Sequence, residues 1–203
     1  MKTLFIPAKI NAELNKKKIL EISKKLPKEI EIAYSIQYKE IASEVKSILS
    51  KNHKINSFTQ VLGCSSLKQK KQTQAILLIS SGKFHAYSLA LETKTPVFLL
   101  DSNKLIKISK LDIQELEKRK KVSYLKFLNA DRVGILVSTK PGQENLQRAI
   151  DFKKSVKEKK LYLFLSNELN KSEFENFPIN SWVNTACPRL DMDSSIINIG
   201  RIL

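Results

Sequence analysis

The sequence is poor in cysteine, in long apolar runs and in arginine, and each shortage excludes something. Only two of its 203 residues are cysteines, Cys64 and Cys187. A disulfide scaffold needs more, and in a lysine-rich chain two such distant thiols read as free thiols or ligands rather than as one long-range bridge. No apolar run approaches the roughly 18 residues that a membrane span requires; the longest cover residues 75–79 and 96–100. Residues 1–7 read as a short strand, without the apolar core or small-residue cleavage site of a secretory leader. These absences make a cytoplasmic protein with no membrane partner the expectation.

Arginine is scarce within a large excess of positive charge. Lys and Arg number 36 against 20 Asp and Glu, a formal net charge of +16, yet only Arg119, Arg132, Arg148, Arg189 and Arg201 are arginines. Base readout and bidentate phosphate clamps favour arginine. The charge therefore reads as solvated lysine faces, such as Lys16-Lys17-Lys18 and Lys157-Glu158-Lys159-Lys160, and no specific nucleic-acid partner is expected.

What is present is the balance of a soluble globular chain, 42% hydrophobic and 28% charged. Strand-like and helix-like segments alternate. A strand is expected over 3–6 and a helix over 12–26, with Leu14, Ile19, Ile22 and Leu26 on one stripe before Pro27. There follow a strand over 29–35, a helix over 38–51, and short strands over 58–62, 75–80 and 97–100. A long charged helix spans 110–129, amphipathic through Leu111, Leu116, Val122 and Leu125. A second series then begins: strand 132–137, helix 143–157, strand 161–165, a short helix near Lys171, and strand 182–185. The pattern predicts an α/β fold of two units, 1–129 and 130–203, with mostly parallel sheets flanked by helices.

Such folds place their chemistry just past the carboxyl ends of strands. Three loops qualify. Gly63-Cys64-Ser65-Ser66 puts a thiol on a turn. Ser138-Thr139-Lys140-Pro141-Gly142-Gln143 joins a strand to a helix, where backbone amides, the helix dipole and Lys140 suit an anion. Asn184-Thr185-Ala186-Cys187-Pro188-Arg189 ends a strand with a second thiol, and Arg189 suits a carboxylate. Each has a plainer reading: a lone cysteine is often a small buried hydrophobe, and the middle loop lacks a full phosphate-loop pattern. His85 reads as a loop residue and His53 as exposed punctuation.

Taken together the loops carry more. Gly63-Cys64-Ser65, Gly82-Lys83-Phe84-His85 with Leu89-Ala90-Leu91 and Pro96-Val97, Val137 through Gln143, and Val183 through Arg189 stand in the order and spacing of one family. The chain resembles the archaeal diphthamide-synthesis enzymes of the 2-(3-amino-3-carboxypropyl)histidine synthase family. The resemblance implies three related α/β domains around a 4Fe-4S cluster held by one cysteine from each. It further implies S-adenosylmethionine as cosubstrate, and radical transfer of its 3-amino-3-carboxypropyl group to a histidine of translation elongation factor 2. On that pattern Cys64 and Cys187 are the second- and third-domain cluster ligands. Ser138, Thr139, Lys140, Pro141, Gly142, Gln143 and Arg189 serve the cosubstrate, and His85 stands near the cluster; no separate catalytic residue is singled out. On that pattern the sequence corresponds to the second and third domains, and the family's first domain with its cysteine is expected to come from elsewhere. The expectation is a partial or split synthase, oligomeric and completed by a second chain; the alternatives are a non-catalytic accessory subunit of a synthase complex or a basic translation-associated binding protein.

Overall fold

In the computed structural model of the chain, which describes residues 4, 6, 8–10, 13–62, 67, 70–192 and 196–202, the alternating segments resolve into two units, Met1–Ile113 and Gln114–Leu203. The first runs α1 (Lys16–Ser23), β1 (Glu29–Tyr34), α2 (Lys39–Leu49), β2 (Lys54–Gln60), β3 (Ala75–Ile79), α3 (Phe84–Thr93), β4 (Val97–Asp101) and β5 (Lys104–Lys107). Its sheet has the order β2-β1-β3-β4-β5, parallel except for β5, which turns back on β4. Every residue of β3 is buried, so both faces of the sheet need cover. Leu77 and Ile79 pack with Ile19 and Ile22 of α1 and Ala42 and Val45 of α2. On the opposite face Ile76 and Leu78 meet Ala86 and Leu89 of α3.

A long helix, α4 (Lys110–Leu128), crosses the division between the units. The boundary expected at residue 130 lies at its end. The structure divides earlier because Phe127 packs into the core of the second unit. That unit continues with β6 (Arg132–Ser138), α5 (Leu146–Ser155), β7 (Lys160–Ser166), a 3-10 segment Lys171–Asn176, β8 (Ser181–Asn184), a 3-10 turn Pro188–Asp191, β9 (Ile197–Asn198) and a last turn Ile199–Arg201. Its sheet is all parallel, ordered β7-β6-β8-β9. Both sheets thus place their second strand outside the first and their third and fourth on the other side. One face of the second sheet is covered by Phe127, Ala149 and Phe152. The other carries Trp182, stacked on Phe174 at 4.5 Å and edge-on to Phe164 at 4.8 Å. A Cβ at Gly134 would stand 2.3 Å from the Trp182 ring, so only glycine admits this ring over the central strand.

The mixed α/β class with mostly parallel sheets is as expected; several local readings are not. Of the strand expected over 3–6 only Leu4 and Ile6 are described, and neither is in a strand. The first helix starts at Lys16, where the Asn15 side chain accepts the Lys18 amide, a cap worth about 1 kcal/mol. His53 is buried, not exposed: its Nδ1 donates to the Pro27 carbonyl at 2.8 Å, and Nε2 shares a 2.7 Å hydrogen bond with the Ser23 hydroxyl. In α4 three of the four residues of the expected stripe face solvent, Leu111 70%, Val122 52% and Leu125 56% exposed, while Leu116 is half-buried and Ser123 and Phe127 are buried. No helix among the described residues is long and apolar enough to cross a membrane.

Candidate functional site at the carboxyl edge of the second sheet

Strand order reverses beside β6: β7 lies on one side and β8 on the other. The loops leaving such neighbours diverge and leave a crevice at the carboxyl edge. A cleft of about 430 Å³ opens there, lined by Ser138, Lys140 and Gln143 after β6, Asn167, Leu169, Asn170 and Lys171 after β7, and Cys187, Arg189 and Leu190 after β8. The structure therefore brings together Ser138, Lys140, Gln143, Cys187 and Arg189. Thr139, Pro141 and Gly142 are exposed and shape the loop without lining the cleft. Gly142 takes a φ of 78°, a left-handed turn that a side chain would strain.

The loop after β6 offers side chains more than backbone. The amide of Thr139 donates to the Ser166 carbonyl, that of Lys140 to the Ser138 hydroxyl at 3.2 Å, and that of Gln143 to the Lys140 carbonyl. Helix α5 begins only at Leu146, three residues beyond the expected start. These three amides are thus already committed within the protein, and the cations that line the cleft are Lys140, Lys171 and Arg189. The Lys140 ammonium also pairs with Glu168 at 2.9 Å, and this hydrogen bond holds the exposed Glu168 carboxyl below its usual range.

The thiol stands on a fastened turn. Asn184, buried at the end of β8, donates through Nδ2 to the Cys187 carbonyl (2.9 Å) and to Asn198 Oδ1 (2.6 Å), and its Oδ1 accepts the Ala186 amide (2.9 Å). Asn198 in turn donates to the Pro188 carbonyl at 3.0 Å, and Asn145 to the Thr185 carbonyl at 2.9 Å. The Thr185 hydroxyl and amide both donate to the Leu136 carbonyl, tying the turn to β6. Cys187 itself is half-buried and free. Sequence reasoning missed the segment 167–171 and the part played by Asn184 and Asn198; a buried amide at a strand end was the one available signal for the latter.

Cys64 and its neighbours Gly63, Ser65 and Ser66 lie outside the described residues. His85 sits in the first turn of α3, half-buried and 5.1 Å from the Phe84 ring, rather than in a loop. Among the described residues no three His, Cys, Asp or Glu side chains gather closely enough to hold a metal ion. A half-buried thiol in a cleft lined by Lys140, Lys171 and Arg189 nonetheless has the chemistry of one iron–sulfur ligand.

Fold and site together define a mostly parallel α/β protein with a thiol-bearing, lysine- and arginine-lined cleft at a strand-order reversal. The chain belongs to the family described as "Putative diphthamide synthesis protein", whose model matches residues 1–196. It is 30% identical over 206 residues to the 2-(3-amino-3-carboxypropyl)histidine synthase of Pyrococcus horikoshii, covering 94% of this chain and 60% of that protein. It is 26% identical to the synthase of Methanocaldococcus jannaschii, covering 97% and 58%. The crystal structure of Dph2 from Pyrococcus horikoshii matches with a TM-score of 0.73 and 27% identity over 90% of this chain and 58% of that one, as does the structure of that protein with a 4Fe-4S cluster. The chain thus spans about 60% of the length of these relatives.

Proposed function

We propose that the chain is one part of a 2-(3-amino-3-carboxypropyl)histidine synthase, which transfers the 3-amino-3-carboxypropyl group of S-adenosylmethionine to a histidine of translation elongation factor 2. Cys64 and Cys187 supply two thiolates to a 4Fe-4S cluster, and a partner chain supplies the third; the assembly is oligomeric and works in the cytoplasm. The observation that carries this reading is the placement of the Cys187 thiol in the same cleft as Ser138, Lys140, Gln143 and Arg189. When bound, such a cluster supplies the electron for radical cleavage of the sulfonium C–S bond. The chain's own residues bind and orient. Lys140 and Arg189 meet the carboxylate of the methionyl group, Ser138 and Gln143 offer it hydroxyl and amide partners, and Gly142 permits the turn that brings Lys140 and Gln143 to one rim.

Anaerobic reconstitution with iron, sulfide and a partner bringing one further cysteine tests this. The expected result is the broad brown absorbance of a 4Fe-4S cluster, lost in Cys187→Ser and in Cys64→Ser, together with modification of the factor. Formation of no cluster and no product overturns it. Full activity in both serine variants favours a docking subunit instead.

A further inference from the structure

The second unit holds a buried charged group that the cleft does not use. Asp191, last residue of the turn that follows Cys187, is 5% exposed. The Lys120 ammonium from α4, its side chain 9% exposed, lies 3.4 Å from Asp191 Oδ2, and Arg201 Nε from the last turn of the chain lies 3.8 Å from the same oxygen. Among the described residues neither carboxylate oxygen has a hydrogen-bond partner of good geometry. Among the described residues the two cations balance the charge of Asp191. Burying such a group without its partners is costly, so each member dictates where the others sit.

We propose that Lys120, Asp191 and Arg201 form a charged lock that positions the Pro188–Asp191 turn, and with it the Cys187 thiol and Arg189 at the cleft. The turn is held at two ends by different chemistry. Its start is fastened by neutral amides, Asn184 to the Cys187 carbonyl and Asn198 to the Pro188 carbonyl. Its end is fastened by charge, from Lys120 on α4 and from Arg201 in the turn Ile199–Arg201. Only one turn separates the two fastenings: the Leu190 amide donates to the Cys187 carbonyl and that of Met192 to Arg189. Movement of Asp191 is thus passed directly to Cys187. Burial pushes the Asp191 carboxyl up and the Lys120 ammonium down from their usual ranges, as expected of ions held from water. Asp191 and Lys120 are positioning residues, acting through the turn.

The lock rests on the reading of Cys187 as a functional thiol, but its test needs no cluster. In the full chain carrying Cys64→Ser, Cys187 is the one remaining cysteine, and its rate of reaction with a disulfide reagent reports the turn. Asp191→Asn and Lys120→Met should each change that rate at least threefold. Hydrogen exchange at the Leu190 and Met192 amides should accelerate at least tenfold while the amides of β6 keep theirs. In the double variant the effects should be far less than multiplicative. If Asp191→Asn does not fold, Arg201→Gln, which leaves the Lys120–Asp191 pair intact, should still change the thiol rate about twofold. An unchanged thiol rate in folded variants overturns the lock, and so does equal acceleration of exchange in β6, which marks a merely global role. Should the cluster fail to form while these shifts appear, the lock stands and the synthase reading falls.

Discussion

The two sheets repeat one strand order and solve the problem of covering it differently. The first is sandwiched by helices, α1 and α2 on one face and α3 on the other. The second has α4 and α5 on one face and, on the other, an aromatic cluster around Trp182 with a 3-10 segment. At the carboxyl edge of the second sheet a short turn, Pro188–Asp191, follows β8, and side-chain amides and charges hold it. Strand order is the shared scaffold; what is hung on it separates the units.

If the second unit rests on a few large side chains, truncating one should cost more than its share. Phe152→Ala should destabilise by about 3–5 kcal/mol, read by urea unfolding through the fluorescence of Trp182, the lone tryptophan. A cost below 1 kcal/mol would show that α5 does not depend on this ring for its packing on the second sheet. Next comes the amide fastening. Asn184→Ala strips partners from the Cys187 carbonyl, the Ala186 amide and Asn198, at about 1–3 kcal/mol for each group left buried and unpaired. Amide exchange at Ala186 should rise well above that of β6; equal rates would mean that the turn is not held by this residue.

Gly134→Ala tests the aromatic face itself. Its methyl group would meet the Trp182 ring, and the overpacking should cost about 1–3 kcal/mol with a shift in Trp182 emission. Unchanged stability would show that the ring can move aside. The smallest effect belongs to the rim. The Lys140 hydrogen bond lowers the Glu168 carboxyl in the folded chain. Its contribution is therefore present above the unfolded carboxylate range and lost as pH falls through the lower folded value. Glu168→Gln should remove only that part of the acid limb, because the pair is solvent-exposed.

Much of this was legible in the sequence, because strands buried on both faces are apolar throughout and helices between them are amphipathic. Residues 75–79 announce β3 in this way. The orientation of α4 was not legible. Its apolar residues lie on more than one side, and what decides is distant: Phe127 against Phe152 at 6.1 Å and Lys120 against Asp191. The hairpin to β5 was missed although Ser102 and Asn103, both at positive φ, form the two-residue turn such hairpins favour. His53 was misjudged because its partners, Ser23 and the Pro27 carbonyl, come from a segment about 30 residues earlier. In the cleft the loops after β6 and β8 could be read from strand-end position; the wall at 167–171 has no distinctive residue and joins only through the fold.

The bonding of Asn184 has a bearing on how the chain ages. Asparagine decays to aspartate when the next residue's backbone nitrogen attacks the side-chain carbonyl, closing a succinimide ring. Here that nitrogen belongs to Thr185, and its hydrogen is committed to the Leu136 carbonyl at 3.1 Å. The Asn184 amide is likewise held on both its nitrogen and its oxygen. Deamidation would exchange a two-proton donor for a carboxylate facing two carbonyl oxygens and would unfasten the thiol turn. The contacts that set the turn thus also slow the chemical clock that would release it.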